Sequence, residues 1–406
     1  ADDGNGLYLW GAQLEQRSAL TDYTATTTQP ITNYIPALQT AASGEPRFDH
    51  DPITGESKGF LIEEQRTNLV TYSEQFDNAA WSKARSSITA NTVVAPDGTL
   101  TGDKLVEDTT TSNSHILTRN ISVTSGVSYT SSIYLKAGER TECSFLFYNG
   151  VSYYGAKIDL LTGVASSPAV SGVADDSANT VSVYCGNGWY RVSLAREMAG
   201  TTHQTQVRIF NGADLYTGDG YSGIYVWGAQ LEQGSFPTSY IPTVASQVTR
   251  SPDAASMTGT NFSSWYRQDE GSFFSNTERD DFGVGGVVFS TSQAGASFGP
   301  RHQARWSTSD TCEYACVDDS NSVVVGSLGS TTSRLFGVGY KTNDFAAVGG
   351  GATPATDTSG NVPVNNAELW LGQYNNGGTV LNGHIKKLAY YPKRLSNATL
   401  QALTEE

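Results

Sequence analysis

The sequence is short of several things, and each shortage excludes something. No run of about 18 apolar residues occurs, so no stretch reads as a membrane-spanning helix. Charged residues make up only 16% of the chain, and Asp and Glu (40) outnumber Lys and Arg (25), for a formal charge of −15. A surface this acidic repels phosphate backbones and anionic lipid, which excludes nucleic acid and membrane insertion from the expected partners. Four cysteines in 406 residues are too few for a disulfide scaffold. Cys143 and Cys185 fall in strand-like runs and read as small buried hydrophobes. Cys312 and Cys316 have C-x-x-x-C spacing without a nearby His or second Cys pair, which argues against zinc and leaves a local disulfide open. Catalytic signatures are sparse as well: no H-E-x-x-H, no P-loop, no G-x-G-x-x-G in a βαβ context. Adjacent acids such as Glu63-Glu64 and Asp280-Asp281 point to opposite faces of a strand and make poor hydrolytic pairs.

What is abundant is Gly (42), Tyr (21), Ser and Thr. That is the composition of an all-β protein with many short strands and tight turns. The length leaves room for two or three domains. Leu7 to Gln16, LYLWGAQLEQ, recurs as Ile224 to Gln233, and Tyr34-Ile35-Pro36 recurs as Tyr240-Ile241-Pro242. A repeat at that spacing predicts tandem domains rather than a solenoid. Residues 1–64 are therefore expected to be an N-terminal strand and extended segment, the remnant of a preceding module within a longer protein. Residues 65–245 form one complete unit, 246–260 a polar linker, and 261–406 a further unit.

Within 65–245, strand candidates follow at short spacing from Leu100 to Trp227. Val127, Tyr129, Ser131, Ile133 and Leu135 alternate with Ser128, Thr130, Ser132, Tyr134 and Lys136, which predicts a sheet buried on one side. Turns are marked by Asp97-Gly98, Asn149-Gly150, Thr162-Gly163, Asn187-Gly188 and Asp219-Gly220. Asn78 to Ser82 reads as a brief helix. The expected architecture is a two-sheet jelly roll, followed by a second sandwich whose terminal helix is capped by Ser396 and edged by Leu400 and Leu403.

Three stretches carry a resemblance. GFLIEEQRTNLVTYSEQFDNAAW (Gly59 to Trp81), Gly188-Trp189-Tyr190-Arg191 and VWGAQLEQGSFPTSYIP (Val226 to Pro242) resemble segments of tailed-bacteriophage tail fibre and appendage proteins. There they flank a jelly roll similar to carbohydrate-binding modules. Phe262 to Tyr266 with Glu270-Gly271, and Gly383-His384-Ile385 through Leu395-Ser396, resemble the concanavalin A-like, laminin-G-like fold that often follows. The resemblance implies tandem β-sandwiches, a virion location, host surface glycan and other tail proteins as partners, and a homo-oligomer, a trimer foremost.

Sugar recognition needs aromatic faces for stacking and planar polar groups for hydroxyls. Tyr148, Tyr153 and Tyr154 around the Asn149-Gly150 turn are one candidate platform; the alternative is that some are core residues. Arg301, His302, Arg305 and Trp306 form a cationic-aromatic group suited to an acidic glycan, or else a solvated strand face. Trp81, Trp189 and Trp227 read as packing residues. Asp49, His50 and Asp51 read as a turn before Pro52. Calcium is the expected ion, with Asp103, Glu107 and Asp108, or Asp318 and Asp319, as carboxylate candidates; turn carboxylates are the plainer explanation. Three functions follow in order: non-catalytic glycan binding, a purely structural spacer, and a polysaccharide depolymerase.

Overall fold

The computed structural model describes residues 36–279, 285–295, 299–308, 311–318, 322–328 (backbone alone) and 335–405. The repeat at residues 7–16, together with Tyr34 and Ile35, lies outside these, as do Asp280, Asp281 and Asp319. The described chain forms 28 strands and two short helices. They build two β-sandwiches in tandem, with a short helix at the C-terminus.

One layer of the first sandwich, sheet A, runs in spatial order Ala165–Ser166, Tyr153–Asp159, Glu142–Tyr148, Thr202–Phe210, His115–Ser122 and Ser82–Ala84. Sheet B opposes it, in the order Val181–Tyr184, Trp189–Glu197, Ser128–Ala137, Gly223–Gln233, Gly102–Glu107 and Ser86–Val93. Phe145, Phe147, Ile158, Val207 and Ile209 of sheet A meet Leu105, Ile133, Leu135, Val192, Leu194 and Val226 of sheet B in one apolar core. Burying each such side chain contributes about 1.5–3 kcal/mol, so the alternation seen in sequence is what holds the layers together.

The strand Ser128–Ala137 departs from the expectation of a single buried face. Thr130, Ser132 and Tyr134 on its far side are as buried as Ile133 and Leu135. The chain that follows sheet B folds back over that side. Trp227 and Tyr240 pack edge-on around Tyr134, at 5.2 and 6.1 Å between ring centroids, and Trp189 joins them. Trp81 packs in the main core. Asn78 to Trp81 is a turn and not a helix, and Ser82 opens the strand Ser82–Ala84. Lys83 Nζ donates to the carbonyls of Phe76, Asp77 and Asn78 at 3.0, 3.0 and 2.9 Å, which closes the turn without a helical ladder.

In the second sandwich, sheet C runs Phe48–His50, Ser57–Ile62, Gly383–Tyr391, Glu270–Arg279, Leu335–Lys341, Phe345–Gly349 and Ala355–Asp357. Sheet D runs Ala255–Thr258, Glu368–Leu371, Gly286–Ser292, Arg301–Trp306, Cys312–Val317 and Ser322–Leu328. Phe273, Phe289, Trp306, Tyr314, Phe336, Tyr340 and Ile385 lie between them. Two strands from before the first sandwich thus complete a sheet of the second, Phe60 opposite Ile385 and Ile62 opposite Gly383. Just upstream, Asp51 Oδ1 accepts the amides of Ile53 and Thr54 at 2.8 Å each, the expected turn before the strand. Cys312 and Cys316 are both buried along one strand and both free, because residues four apart on a strand are about 13 Å apart. The terminal helix Asn397–Leu403 begins as expected, with Thr399 N donating to Ser396 Oγ at 3.2 Å, and Leu400 is its buried residue.

The two apolar clusters share no residue. What joins the sandwiches is ionic and polar. Within 246–260, Val248–Arg250 pairs with Arg66–Asn68, and Ala255–Thr258 pairs with Glu368–Leu371. Glu63, 5% exposed, sits between Arg47 at 2.7 Å and Arg250 at 2.9 Å, and accepts the Ser239 amide at 2.7 Å. Arg47 also grips Asp253, whose Oδ2 accepts the Glu63 amide at 2.8 Å. Burial alone would raise the Glu63 carboxyl; Arg250 and Arg47 overcome that and hold it below the usual carboxylate range. Next to this, Asn68 Nδ2 donates to the carbonyls of Ala229 and Ile241 at 3.1 and 2.8 Å. The motif residues at 63–68 and 229–241 therefore act as a clasp.

Candidate glycan-binding face

Sheet A has a core face and an outer face. Since Phe145, Phe147, Val207 and Ile209 point inward, the alternate residues point outward. The strand registers then place Tyr153, Tyr148, Gln204 and Asn120 in one row across four strands. Gln206 and Arg208 continue down the same face from Gln204, because Gln204-Thr205-Gln206-Val207-Arg208 alternates polar outward with core inward.

Tyr148 and Tyr153 pack together, 4.7 Å between ring centroids and tilted by 38°. Both are half-buried. The Tyr153 hydroxyl donates to Gln204 Oε1 at 2.6 Å, and Gln204 Nε2 donates to Asn120 Oδ1 at 2.7 Å. Gln206 Nε2 reaches Gln204 Oε1 at 3.3 Å; Arg208 Nε donates to Gln206 Oε1 at 2.6 Å, and Arg208 Nη1 to Asp214 Oδ2 at 2.8 Å. Burial pushes the Tyr153 phenol above its ordinary range, so it remains a donor. One hydrogen-bonded chain thus runs from the aromatic pair to an ion pair and fixes the side chains before any ligand arrives. The Ser144 hydroxyl donates to the Pro168 carbonyl at 3.2 Å, which draws the loop after Ala165–Ser166 onto the outer side of the sheet. Two tilted rings beside oriented primary amides suit a pyranose, whose apolar face stacks and whose hydroxyls both donate and accept.

Tyr154 does not belong to this face. It is the inward neighbour of Tyr153 and lies at the edge of the core. Its ring is covered by the Arg196 guanidinium at 4.4 Å, and Arg196 Nε donates to the buried Asp176 at 2.6 Å. The expected trio of tyrosines is therefore a pair and a packing residue.

The group at 301–306 is split in the same way. His302 and Trp306 point into the core of the second sandwich, 0% and 5% exposed. His302 Nδ1 is 2.6 Å from the Tyr314 hydroxyl, and burial pushes its imidazole down to about 3. Trp306 Nε1 donates to Thr277 Oγ1 at 3.3 Å. Arg301 and Arg305 stay on the outer face of sheet D. Arg305 is held by Glu313 at 2.7 Å, and Arg301 donates to Gln303 Oε1 at 2.7 Å. No cationic-aromatic anchor forms from these four residues, since alternate positions along a strand face opposite ways.

Of the carboxylates expected to hold calcium, Asp103, Glu107 and Asp108 are each committed to protein donors. Asp103 is buried and accepts the amides of Asn91 and Phe76 at 2.9 and 3.0 Å; burial pushes it up to about 6 although those amides pull the other way. Glu107 takes Arg140 at 2.9 and 2.6 Å, the Tyr216 hydroxyl at 2.6 Å and the Asp219 amide at 3.0 Å. Asp108 takes the amide and hydroxyl of Thr110, each at 2.9 Å. Among the described residues no three His, Cys, Asp or Glu side chains converge on a metal position. Glu63 and Glu64 belong to the clasp, Glu64 pairing with Arg66 at 2.7 Å. One further string, Gly295 to Gly299, has the form G-x-S-x-G; its Ser297 lies outside the described residues. It links the antiparallel neighbours Gly286–Ser292 and Arg301–Trp306, whereas a nucleophile elbow needs a strand-to-helix turn.

No family model and no curated protein matches the chain. Among solved structures it is similar to the Ruminococcus gnavus IT-sialidase CBM40, with 13% identity and a TM-score of 0.30 over 34% of this chain and 84% of that one. It is also similar to domains LG4-5 of the mouse laminin alpha1 chain, with 8% identity and a TM-score of 0.25 over 70% of this chain and 90% of that one. The architecture given above stands on the strand pairing itself.

Proposed function

We propose that the chain is a non-catalytic glycan-binding protein and that the outer face of sheet A is its binding site. The observation that carries this reading is the tilted, touching Tyr148–Tyr153 pair tied through Gln204 to Asn120. The proposal extends to its setting: a phage tail fibre or appendage, acting outside the host cell on surface glycan, homo-oligomeric with a trimer foremost, and joined to other virion proteins. That part rests on the resemblance of the segments at 59–81 and 226–242. Metal is not needed at this face, where recognition falls to rings and amides.

The second reading is a structural spacer, favoured by the clasp around Glu63, which couples the sandwiches through buried ion pairs. Depolymerase activity ranks third, and release of reducing ends from a host polysaccharide would promote it. A glycan array separates the first two. The intact chain retains at least one glycan, and Tyr148→Ala with Tyr153→Ala lowers retention at least tenfold, about 1.4 kcal/mol. Retention of no glycan under any condition would favour the spacer.

A further inference from the structure

The polar face of sheet A also bears on which sugars it takes, an inference that rests on the binding reading above. We infer that its ligand is a neutral, hydroxyl-rich oligosaccharide, and that acidic glycans are disfavoured. Each cation on this face has a carboxylate partner, and Asp159, opposite Glu142, adds a further acid. Arg208 is bound to Asp214 at 2.8 Å and, through Nε, to Gln206 at 2.6 Å. Lys157 is bound to Glu142 at 2.8 Å. Arg196, at the neighbouring edge, is bound to the buried Asp176. A carboxylate, sulfate or sialyl group arriving here would have to displace an existing carboxylate from its cation and then lie beside it. Placing like charges together in a partly dry site costs several times what an exposed pair yields. The whole chain, at −15, adds a repulsive field.

The groups left to meet a ligand are uncharged. Tyr148, Gln204 and Asn120 stand side by side across three neighbouring strands, with Tyr153 on a fourth. At about 4.8 Å between strands the row is about 14 Å long, enough for a short oligosaccharide laid across the strands. Asn120 is exposed, and among the described residues neither its Nδ2 nor the Tyr148 hydroxyl has a hydrogen-bond partner. An amide donor at one end and a phenol at the other fit ring hydroxyls, which accept and donate equally well. Asp214 is the element that keeps the face neutral. Its Oδ1 is buried without a hydrogen-bond partner, so the carboxylate is retained there mainly as a counter-charge to Arg208.

The test uses the full chain and two matched panels of soluble oligosaccharides, uncharged ones and ones bearing uronate, sialyl or sulfate groups, titrated by calorimetry. Neutral ligands bind, and their affinity changes less than about twofold between about 50 mM and about 500 mM NaCl, since no ion pair to the ligand is screened. Asp214→Asn leaves Arg208 uncompensated; it gains acidic ligands at least about fivefold and makes them salt-sensitive, with its melting temperature recorded to verify folding. Tight binding of acidic ligands by the unaltered chain, lost in Tyr148→Ala and weakened about tenfold by salt, would overturn this inference while leaving the glycan-binding reading intact. Binding of neither panel would overturn both.

Discussion

Tyr148 and Tyr153 lie on different strands and touch, whereas Arg301, His302, Arg305 and Trp306 lie on one strand and part company. The two groupings look alike as strings of letters. In a sheet, though, a residue's neighbours are across the strands, and its sequence neighbours face the other way. The tyrosines meet because a hairpin turn brings two outward positions into register. The 301–306 group divided into a core pair and a surface pair.

Experiments can break this contrast at several strengths. The largest effect is expected from Trp306→Ala, which should lose about 3–5 kcal/mol of stability in the second sandwich, read by calorimetry. If Trp306 were instead a surface stacking residue, the melting temperature would hardly move. Glu63→Ala is expected to cost about 3 kcal/mol, because it leaves Arg250 without its carboxylate at the seam while Arg47 keeps only Asp253. It should also let the sandwiches melt as two transitions. Acid tests the same seam. The Glu63 carboxyl is held low in the folded chain, so its contribution is full above the unfolded value of about 4.3 and is lost as pH falls below it.

A smaller effect comes from two of the buried histidines, His203 in the first sandwich and His302 in the second. Burial pushes both His203 and His302 down to about 3. In an imidazole with a lowered folded value, the neutral ring is the folded form. Stability is then whole above the unfolded value of about 6.5 and falls as pH drops towards 3. Moving from neutral pH to about 5 should remove about 2 kcal/mol per histidine. His302→Gln should remove that ring's share of the acid loss, about 2 kcal/mol, followed by thermal melting of the chain; an unchanged profile would mean the ring is not buried neutral. Smaller still in stability, but decisive for binding, is Gln204→Ala. It should shift melting by no more than about 1 kcal/mol while weakening glycan retention about tenfold. Arg305→Ala, which removes an exposed pair with Glu313, should cost about 0.2–1 kcal/mol and leave retention unchanged.

Much of the fold was legible from period-two alternation and Gly-marked turns: the sandwiches in tandem, the packing roles of Trp81, Trp189 and Trp227, and the Ser396 cap. Other parts were not, because tertiary covering leaves no local signal. Tyr134 reads as a surface residue until Trp227 and Tyr240 close over it. Ser86–Val93 is a polar edge strand with little alternation, and Val248–Arg250 looks like linker because its partner lies at 66–68. For the site, the tyrosine pair was visible beside Asn149-Gly150, while its amide partners were missed. Their signal was present in the alternation of Gln204, Gln206 and Arg208 between Thr205 and Val207. Placing that strand next to Tyr148 required the register, which alternation alone does not supply.

The most direct measurement is a crystal structure of the chain with a neutral oligosaccharide retained on the array. The account predicts a sugar ring lying on Tyr148 and Tyr153, with hydroxyls bonded to Gln204 and Asn120. A ligand found on sheet D against Arg301 and Arg305, with the tyrosine face bare, would contradict it.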